Sequence, residues 1–158
     1  LAEIGQKSSP LRGKRALVLG AGGVARAIVY GLRRRGAHVV VAGRTRKRAK
    51  ALADKYGGKA IDWSARHNVE ANILVNGTPV GMHPSVDETP FEKHHLKPSM
   101  LVFDTVYNPE NTLLLKDARS QSCRCVTGIE MFVRQAGRAV TGFLSPRLLG
   151  DRRIKFSP

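Results

Sequence analysis

A glycine-rich turn at residues 20–25 has the residue types and spacing that bind phosphate through the backbone. Its sequence, Gly-Ala-Gly-Gly-Val-Ala, fits the pattern G-x-G-x-x-G/A and stands between an apolar segment and an amphipathic one. Gly20 permits a tight turn, and Gly22 lets a pyrophosphate approach the backbone. The amino terminus of the following helix then offers unpaired N–H groups to the phosphates. The turn therefore predicts a dinucleotide site at Gly20, Ala21, Gly22, Gly23 and Val24.

The residues that follow the second apolar segment indicate which dinucleotide this site would hold. An NAD site places Asp or Glu there, on the ribose 2′-hydroxyl, whereas this chain has Gly43 followed by the basic run 44–48. Arg44 and Arg48 could hold a 2′-phosphate by charge-assisted hydrogen bonds, and Arg44 could stack on adenine. For Arg46 and Lys50, a solvated helix face is the alternative interpretation. The sequence predicts NADP(H), with a binding segment of Gly43, Arg44, Thr45, Arg46, Lys47 and Arg48.

Apolar segments alternate with amphipathic ones along the chain, which is typical of a parallel sheet covered by helices. Strands are predicted at 15–19, 38–42, 59–61, 73–75, 100–103 and 124–126. Helices are predicted at 24–32, 49–56, 112–119 and 129–140, with a further short helix that Thr89 caps. The predicted fold class is α/β, a Rossmann-like, doubly wound, mostly parallel six-stranded sheet with helices on both faces.

Length and charge narrow the class of protein further. A chain of 158 residues can bury the core of one domain, and its 27 Lys and Arg against 12 Asp and Glu give a formal charge of +15. A nucleic-acid-binding module is therefore an alternative, but aromatic residues make up only 6% and none are interleaved with the basic runs. No apolar run approaches the roughly 20 residues that a membrane-spanning helix needs.

Cysteines and histidines give no pattern for metal binding. Cys123 and Cys125 are too few for a four-ligand zinc site, and we expect them on opposite faces of a strand. His94 and His95 are adjacent and are expected to point to different sides of a helix. The other three histidines are scattered without the spacing of metal ligands. The sequence therefore predicts no metal site.

Three further segments resemble shikimate dehydrogenases. Residues 76–82, NGTPVGM, resemble that family's N-x-T-x-x-G-M loop, and residues 104–114, DTVYNPENTLL, resemble its D-x-x-Y-x-P-x-x-T-x-L stretch. Residues 128–136, GIEMFVRQA, resemble its G-x-x-M-x-x-x-Q-A helix start. The segments 85–90 and 131–136 resemble most the dehydrogenase half of bifunctional dehydroquinate dehydratase–shikimate dehydrogenases. With the glycine turn, the resemblance covers most of residues 11–144.

The resemblance implies NADP-linked reduction of 3-dehydroshikimate to shikimate, in aromatic amino-acid biosynthesis, at a cleft between two domains. In that family the catalytic Lys and Asp belong to a preceding substrate-binding domain, which this chain does not match. We therefore expect residues 1–10 to be the end of an interdomain helix and a linker, 11–144 the NADP-binding domain, and 145–158 a basic tail. The expected partner is the N-terminal substrate-binding domain, without which the chain should be inactive.

Matched positions of the resemblance also imply roles for single residues. Thr78, Thr105 and Gly128 match positions near the cofactor, and Tyr107 and Gln135 match residues that reach across to the substrate. Gly43 stands where the family usually has Asn. A quinate-type or other NAD(P)-dependent dehydrogenase is the closest alternative function. The expected location is cytoplasmic, or plastid for a plant-type bifunctional enzyme.

Overall fold

The computed structural model describes residues 10–130, which form a parallel six-stranded sheet with helices on both faces. The strands are β1 (Arg15–Leu19), β2 (His38–Gly43), β3 (Lys59–Asp62), β4 (Ile73–Asn76), β5 (Leu101–Asp104) and β6 (Arg124–Val126). The α-helices are α1 (Gly23–Arg34), α2 (Arg46–Tyr56) and α3 (Leu113–Ser120). Two 3₁₀ helices, Trp63–Asn68 and Lys93–His95, lie in the connections.

The strand order is β3-β2-β1-β4-β5-β6, and every neighbouring pair is parallel. The chain thus builds outward from β1 in one direction, and then returns to the other side of β1 to add β4, β5 and β6. The connections leaving β1 and β4 run to opposite faces of the sheet, so a crevice opens between the carboxyl ends of these two strands. This arrangement confirms the predicted doubly wound fold class.

Alternating side chains of each strand fill two separate cores. In β1, Ala16 and Val18 pack into the cluster under α1 and α2, whereas Leu17 and Leu19 pack into the cluster under α3. All four side chains are fully buried. Because helices cover both faces, β1 is apolar at four consecutive positions rather than at every second one. No helix in the described part of the chain is long and apolar enough to cross a membrane.

The helix boundaries follow from capping residues that the sequence makes visible. Thr112 caps α3, since its hydroxyl oxygen accepts a hydrogen bond from the Leu115 N–H at 3.3 Å. Gly57 ends α2 in the left-handed conformation, at φ 79°. Residues 128–130 are helical, in agreement with the helix predicted there, and the rest of that helix lies outside the described residues.

The prediction of a short helix capped by Thr89 is wrong. The Thr89 hydroxyl instead donates to the carbonyl of Phe91 at 3.1 Å, and only the single 3₁₀ turn Lys93–His95 follows. Phe91 is buried in the core under α3, with 2% of its surface exposed. The Arg66 Nε–H donates to the Pro90 carbonyl at 2.7 Å. These contacts hold the segment out of a helix and give the carbonyl groups of Pro90 and Phe91 hydrogen-bond partners.

The prediction that Cys123 and Cys125 occupy opposite faces is also wrong. Both side chains pack against the core under α3, because residues two apart on a strand point to the same face. Burial raises the pKa of Cys125 to about 11, and the Cys123 thiol donates to the carbonyl of Lys97 at 3.1 Å. Both cysteines are therefore neutral, packed thiols.

Candidate functional site

A crevice of about 260 Å³ opens at the carboxyl ends of the strands, where the order reverses between β1 and β4. Backbone hydrogen bonds join the loops around it. The Gly20 N–H donates to the Ala42 carbonyl at 2.8 Å, and the Gly77 N–H donates to the Leu19 carbonyl at 2.7 Å. The crevice brings together eight residues predicted for the site: Gly20, Ala21, Gly22, Gly43, Arg44, Thr45, Arg48 and Thr78.

Glycine is required where the loops after β1 and β4 meet. Gly20 has φ +102°, and an added Cβ would lie 3.0 Å from the Gly77 carbonyl oxygen and 3.1 Å from the Thr78 side chain. A Cβ on Gly77 would lie 2.9 Å from the Leu19 carbonyl oxygen. By contrast, a Cβ on Gly22 would meet no atom of the chain within 4 Å. Gly20 and Gly77 thus permit close packing, whereas Gly22 leaves open space beside the backbone.

Two helices begin at the crevice with uncapped amino termini. The residue before α1 is Gly22, which has no side chain to act as a cap. The residue before α2 is Thr45, whose side chain accepts no hydrogen bond from the helix N–H groups. Neither helix has an acidic residue in its first turn. The first N–H groups of a helix lack intrahelical partners and carry the positive end of its dipole. The crevice is therefore suited to an anionic group.

Arginine side chains add positive charge to the same rim. Arg44 and Arg48 line the crevice and are exposed. The Arg44 guanidinium carbon lies 5.9 Å from the centre of the Trp63 ring, within reach of a cation–π contact. Among the residues that line the crevice none is acidic. A doubly charged phosphate monoester would therefore meet only favourable side-chain charges here.

The remaining basic residues of the predicted binding segment, and the neighbouring Lys50, lie outside the crevice. Arg46 donates to the Asp62 carboxylate at 2.9 Å and so bridges the start of α2 to the end of β3. Lys47 is exposed on the same helix. Lys50 pairs with Asp54 at 2.7 Å. For Arg46 and Lys50, these contacts agree with the solvated-face interpretation.

A buried hydrogen-bond network fixes the loops after β4 and β5. Asp104, which is fully buried at the end of β5, accepts from the Asn76 amide at 3.1 Å and from the Val106 N–H at 3.0 Å. It also accepts from the Thr112 hydroxyl at 2.7 Å. The Asn76 amide oxygen in turn accepts from the N–H of Thr78 at 3.0 Å and from its hydroxyl at 2.6 Å. One carboxylate thus connects two strand ends, a helix cap and the crevice.

The sequence predicts no separate role for Asp104 or Asn76. The signal that the two share is a polar residue at the last position of an otherwise buried strand. Burial raises the pKa of Asp104, although the three hydrogen bonds that it accepts act in the opposite direction. Asp104 is fully buried, and the hydrogen bonds that it accepts come from donors of this chain. It therefore positions the loops and does not face a ligand.

Thr105 and Gly128, predicted from matched positions, lie against each other. A Cβ on Gly128 would be 2.6 Å from the Thr105 carbonyl oxygen and 2.7 Å from that of Val106. Glycine is therefore needed for the segment after β6 to reach the loop after β5. Tyr107 follows in that loop with 64% of its surface exposed. Gly23 and Val24 stand exposed in the first turn of α1, and Gln135 lies outside the described residues.

The strand order and the crevice together define a doubly wound α/β domain with a ligand site at its switch point. The model of the shikimate/quinate 5-dehydrogenase family matches residues 3–110. The chain belongs to this family.

Individual relatives agree with this membership. The chain is 46% identical over 138 residues to the chloroplastic bifunctional 3-dehydroquinate dehydratase/shikimate dehydrogenase of Arabidopsis thaliana. The aligned region covers 85% of this chain and 23% of the Arabidopsis protein. Quinate dehydrogenase from Corynebacterium glutamicum in complex with NAD has a TM-score of 0.73 at 34% identity. It covers 94% of this chain, which spans 53% of that structure.

Shikimate 5-dehydrogenase from Thermus thermophilus, in complex with NADP(H) and shikimate, has a TM-score of 0.70 at 32% identity. It covers 94% of this chain, which spans 54% of that structure. The chain thus spans about half the length of both solved structures, and less of the bifunctional protein.

Proposed function

We propose that this chain is the NADP(H)-binding domain of a shikimate dehydrogenase, which catalyses the reversible NADPH-dependent reduction of 3-dehydroshikimate. The observation that carries the proposal is the crevice between β1 and β4. It combines the glycine turn, two uncapped helix starts and the side chains of Arg44 and Arg48, with no acidic residue among those that line it. An anionic ligand with several phosphates fits this set of donors.

The cofactor-binding residues divide by position around the crevice. We assign Gly20, Ala21, Gly22, Gly23 and Val24 to the pyrophosphate and the segment 43–48 to the adenosine 2′-phosphate. Within that segment Gly43, Arg44, Thr45 and Arg48 line the crevice, which supports direct contact for these four. Arg46 and Lys47 contribute charge from the neighbouring surface. Thr78, Thr105 and Gly128 are assigned to the nicotinamide end.

Within the reaction, this chain holds and orients its ligands. NADPH supplies a hydride from C4 of its nicotinamide ring when bound. The Asp104 network keeps the loop of Thr78 in place, and the contact of Gly128 with Thr105 sets the distance between the loops after β5 and β6. Tyr107, exposed beside these loops, and Gln135 are proposed to meet the hydroxyl groups of the substrate. Their contribution is proximity, since the two reacting carbons must come within a few ångströms in line.

We place the catalytic Lys and Asp in an N-terminal substrate-binding domain, and residues 11–144 in the NADP-binding domain. The chain's span of about half of its solved relatives supports this division. Of the carboxylates near the crevice, Asp104 is fully committed to the chain's own donors. A cytoplasmic location is proposed, or a plastid one like that in the name of the Arabidopsis relative.

A quinate-type dehydrogenase that uses NAD is the second candidate function. The similarity to the Corynebacterium quinate dehydrogenase, a complex with NAD, favours it. Against it, β2 ends in Gly43 rather than in an acidic residue that would hold the ribose hydroxyls, and an arginine follows. The NADP(H) assignment therefore stands first. For a nucleic-acid-binding role, residues 10–130 offer no site comparable to this crevice, whose arginines line a concave pocket.

The proposed function predicts that this chain binds the cofactor but does not catalyse the reaction, and measuring both properties tests it. We expect the 158-residue chain to bind NADP⁺ saturably but to show no NADP-dependent oxidation of shikimate, measured as NADPH absorbance. The physical reason is that the proton-transferring groups would be absent. Turnover by this chain alone would show that the catalytic groups lie within it. Binding of NAD⁺ as tight as that of NADP⁺ would favour the quinate-type function.

A further inference from the structure

A polar hollow of about 630 Å³ lies at the amino-terminal edge of the sheet, opposite the crevice. The starts of β1 and β2 contribute Arg15 and His38 to its wall, and His67 and His95 line it from the connecting segments. The edge is thus built from residues for which the dehydrogenase function gives no role. At its rim stands a cluster of three metal-ligating side chains, Glu92, His94 and His95.

One potential ligand atom from each of Glu92, His94 and His95 lies within 4.8 Å of the others. The Glu92 Oε2 atom is 3.4 Å from Nε2 of His94 and 4.0 Å from Nε2 of His95. The local backbone explains why the side chains of Glu92 and His95 converge. In a 3₁₀ helix, side chains three residues apart lie on the same side, so Glu92 and His95 face one another across the turn Lys93–His95. The rings of His94 and His95 lie with their centres 4.1 Å apart, so the expectation that these adjacent histidines diverge on a helix is wrong.

Neighbouring rings hold the cluster in place. The His67 and His95 rings stack with their centres 4.6 Å apart, and the buried ring of Phe91 meets His95 edge-on at 6.1 Å. The Nε2 atom of His67 accepts the Glu92 N–H at 3.0 Å. The backbone of Glu92 and the ring of His95 are thereby ordered without an ion.

We propose that Glu92, His94 and His95 bind one divalent transition-metal ion of the Zn²⁺ type. Two imidazoles and a carboxylate suit Zn²⁺, and imidazole ligands disfavour Mg²⁺ and Ca²⁺. Tetrahedral coordination at about 2.1 Å places ligand atoms roughly 3.4 Å apart. The Glu92 to His94 separation of 3.4 Å already meets this requirement. A small rotation of the exposed side chains of Glu92 and His94 closes the rest, and the fourth position remains for water.

This site is distinct from the dinucleotide crevice, because it lies beyond the opposite ends of the strands. Binding of the ion should therefore leave NADP⁺ affinity unchanged. The two cysteines are the softer potential ligands for Zn²⁺ in the described part of the chain. The raised pKa of Cys125 and the bond of the Cys123 thiol to Lys97 both oppose metal binding there.

Calorimetric titration of the 158-residue chain with Zn²⁺ tests the proposal. We expect one ion per chain, and a loss of affinity of about tenfold or more in each of Glu92→Gln, His94→Ala and His95→Ala. His83→Ala, which removes an exposed histidine on the loop after β4, serves as the matched control and should bind as the unmodified chain does. Mg²⁺ should not displace the ion.

Three results would overturn the proposal. The first is the absence of Zn²⁺ binding by the unmodified chain. The second is binding that survives in Glu92→Gln and His94→Ala but is lost in Cys123→Ser, which would assign the ion to the thiols. The third is an equal loss in His83→Ala. Because His94 is exposed, its replacement should leave the circular dichroism spectrum unchanged, so that lost affinity reports lost ligands.

Discussion

Replacement of Asp104 with alanine should lower the free energy of unfolding by about 3 kcal/mol. The change deprives the buried Val106 N–H and the Thr112 hydroxyl of their acceptor and removes one of the two partners of the Asn76 amide. A buried donor without a partner costs about 1–3 kcal/mol. Urea unfolding followed by the fluorescence of Trp63, the only tryptophan, measures the effect.

Asp87→Ala is the matched control, since it removes an exposed carboxylate from the loop after β4 and should change stability by less than about 0.5 kcal/mol. Asp104→Asn should cost less than Asp104→Ala, because its amide oxygen can still accept from Asn76 and Val106. An Asp104→Ala chain as stable as the Asp87→Ala chain would mean that the network does not hold the two loops.

The pH dependence of this comparison has a definite sign. Because burial raises the pKa of Asp104, folding favours its protonated form. The corresponding stability is present below the unfolded pKa, about 4, and is lost as the pH rises through the folded pKa. The stability of the unmodified chain minus that of Asp104→Asn should therefore fall as the pH rises above about 4. A difference that grows with pH would show that the hydrogen bonds outweigh the burial of the charge.

Alanine at Gly20 and alanine at Gly22 should have different consequences, although the two residues belong to one turn. Gly20→Ala places a Cβ 3.0 Å from the Gly77 carbonyl oxygen at φ +102°, so we expect a loss of about 2 kcal/mol in stability and weaker NADP⁺ binding. At Gly22, φ is −84° and the added Cβ meets no atom of the chain. Gly22→Ala should cost less than about 1 kcal/mol in stability yet weaken NADP⁺ by about tenfold, because its Cβ obstructs the pyrophosphate.

Gly13→Ala separates strain from binding in this series. Gly13 has φ +77° in open surroundings and lies at the opposite edge of the sheet, on the wall of the polar hollow. Its replacement should lower stability and leave NADP⁺ affinity unchanged. Calorimetric titration with NADP⁺ and urea unfolding of the three variants measure both quantities. Unchanged NADP⁺ affinity in Gly22→Ala would contradict the assignment of the glycine turn to the pyrophosphate.

The sheet was predictable because its central strands β1, β4 and β5 are apolar at nearly every position and its helices are amphipathic. The bounds of β1 and β6 agree with the prediction, and the other strands differ at their ends by one residue. Local rules failed where tertiary contacts compete with them. Phe91, buried under α3, draws its segment out of the helix that Thr89 was expected to cap. A burial partner so distant in sequence leaves no periodic signal.

The crevice was predictable because its chemistry is carried by consecutive residues, in the glycine turn and in the basic run after β2. Interactions between segments that are distant in the sequence could not be predicted in this way. The bond of Asp104 to Asn76 joins residues 28 positions apart, and it depends on the register of β4 and β5. The contact between the rings of His94 and His95, whose centres lie 4.1 Å apart, likewise depends on side-chain conformation, which residue types and their spacing do not predict.

The affinities of NADP⁺ and NAD⁺ for Arg48→Ala and Arg46→Ala test the central claim most directly. Both arginines are exposed in the first turn of α2, but Arg48 lines the crevice and Arg46 pairs with Asp62. We predict that the unmodified chain prefers NADP⁺, and that Arg48→Ala weakens NADP⁺ by about tenfold while leaving NAD⁺ unchanged. Arg46→Ala should weaken NADP⁺ much less than Arg48→Ala does, because Arg46 adds charge only from the neighbouring surface, and it should leave NAD⁺ unchanged. Equal affinity of the unmodified chain for NADP⁺ and NAD⁺, or equal effects of the two substitutions, would contradict the account.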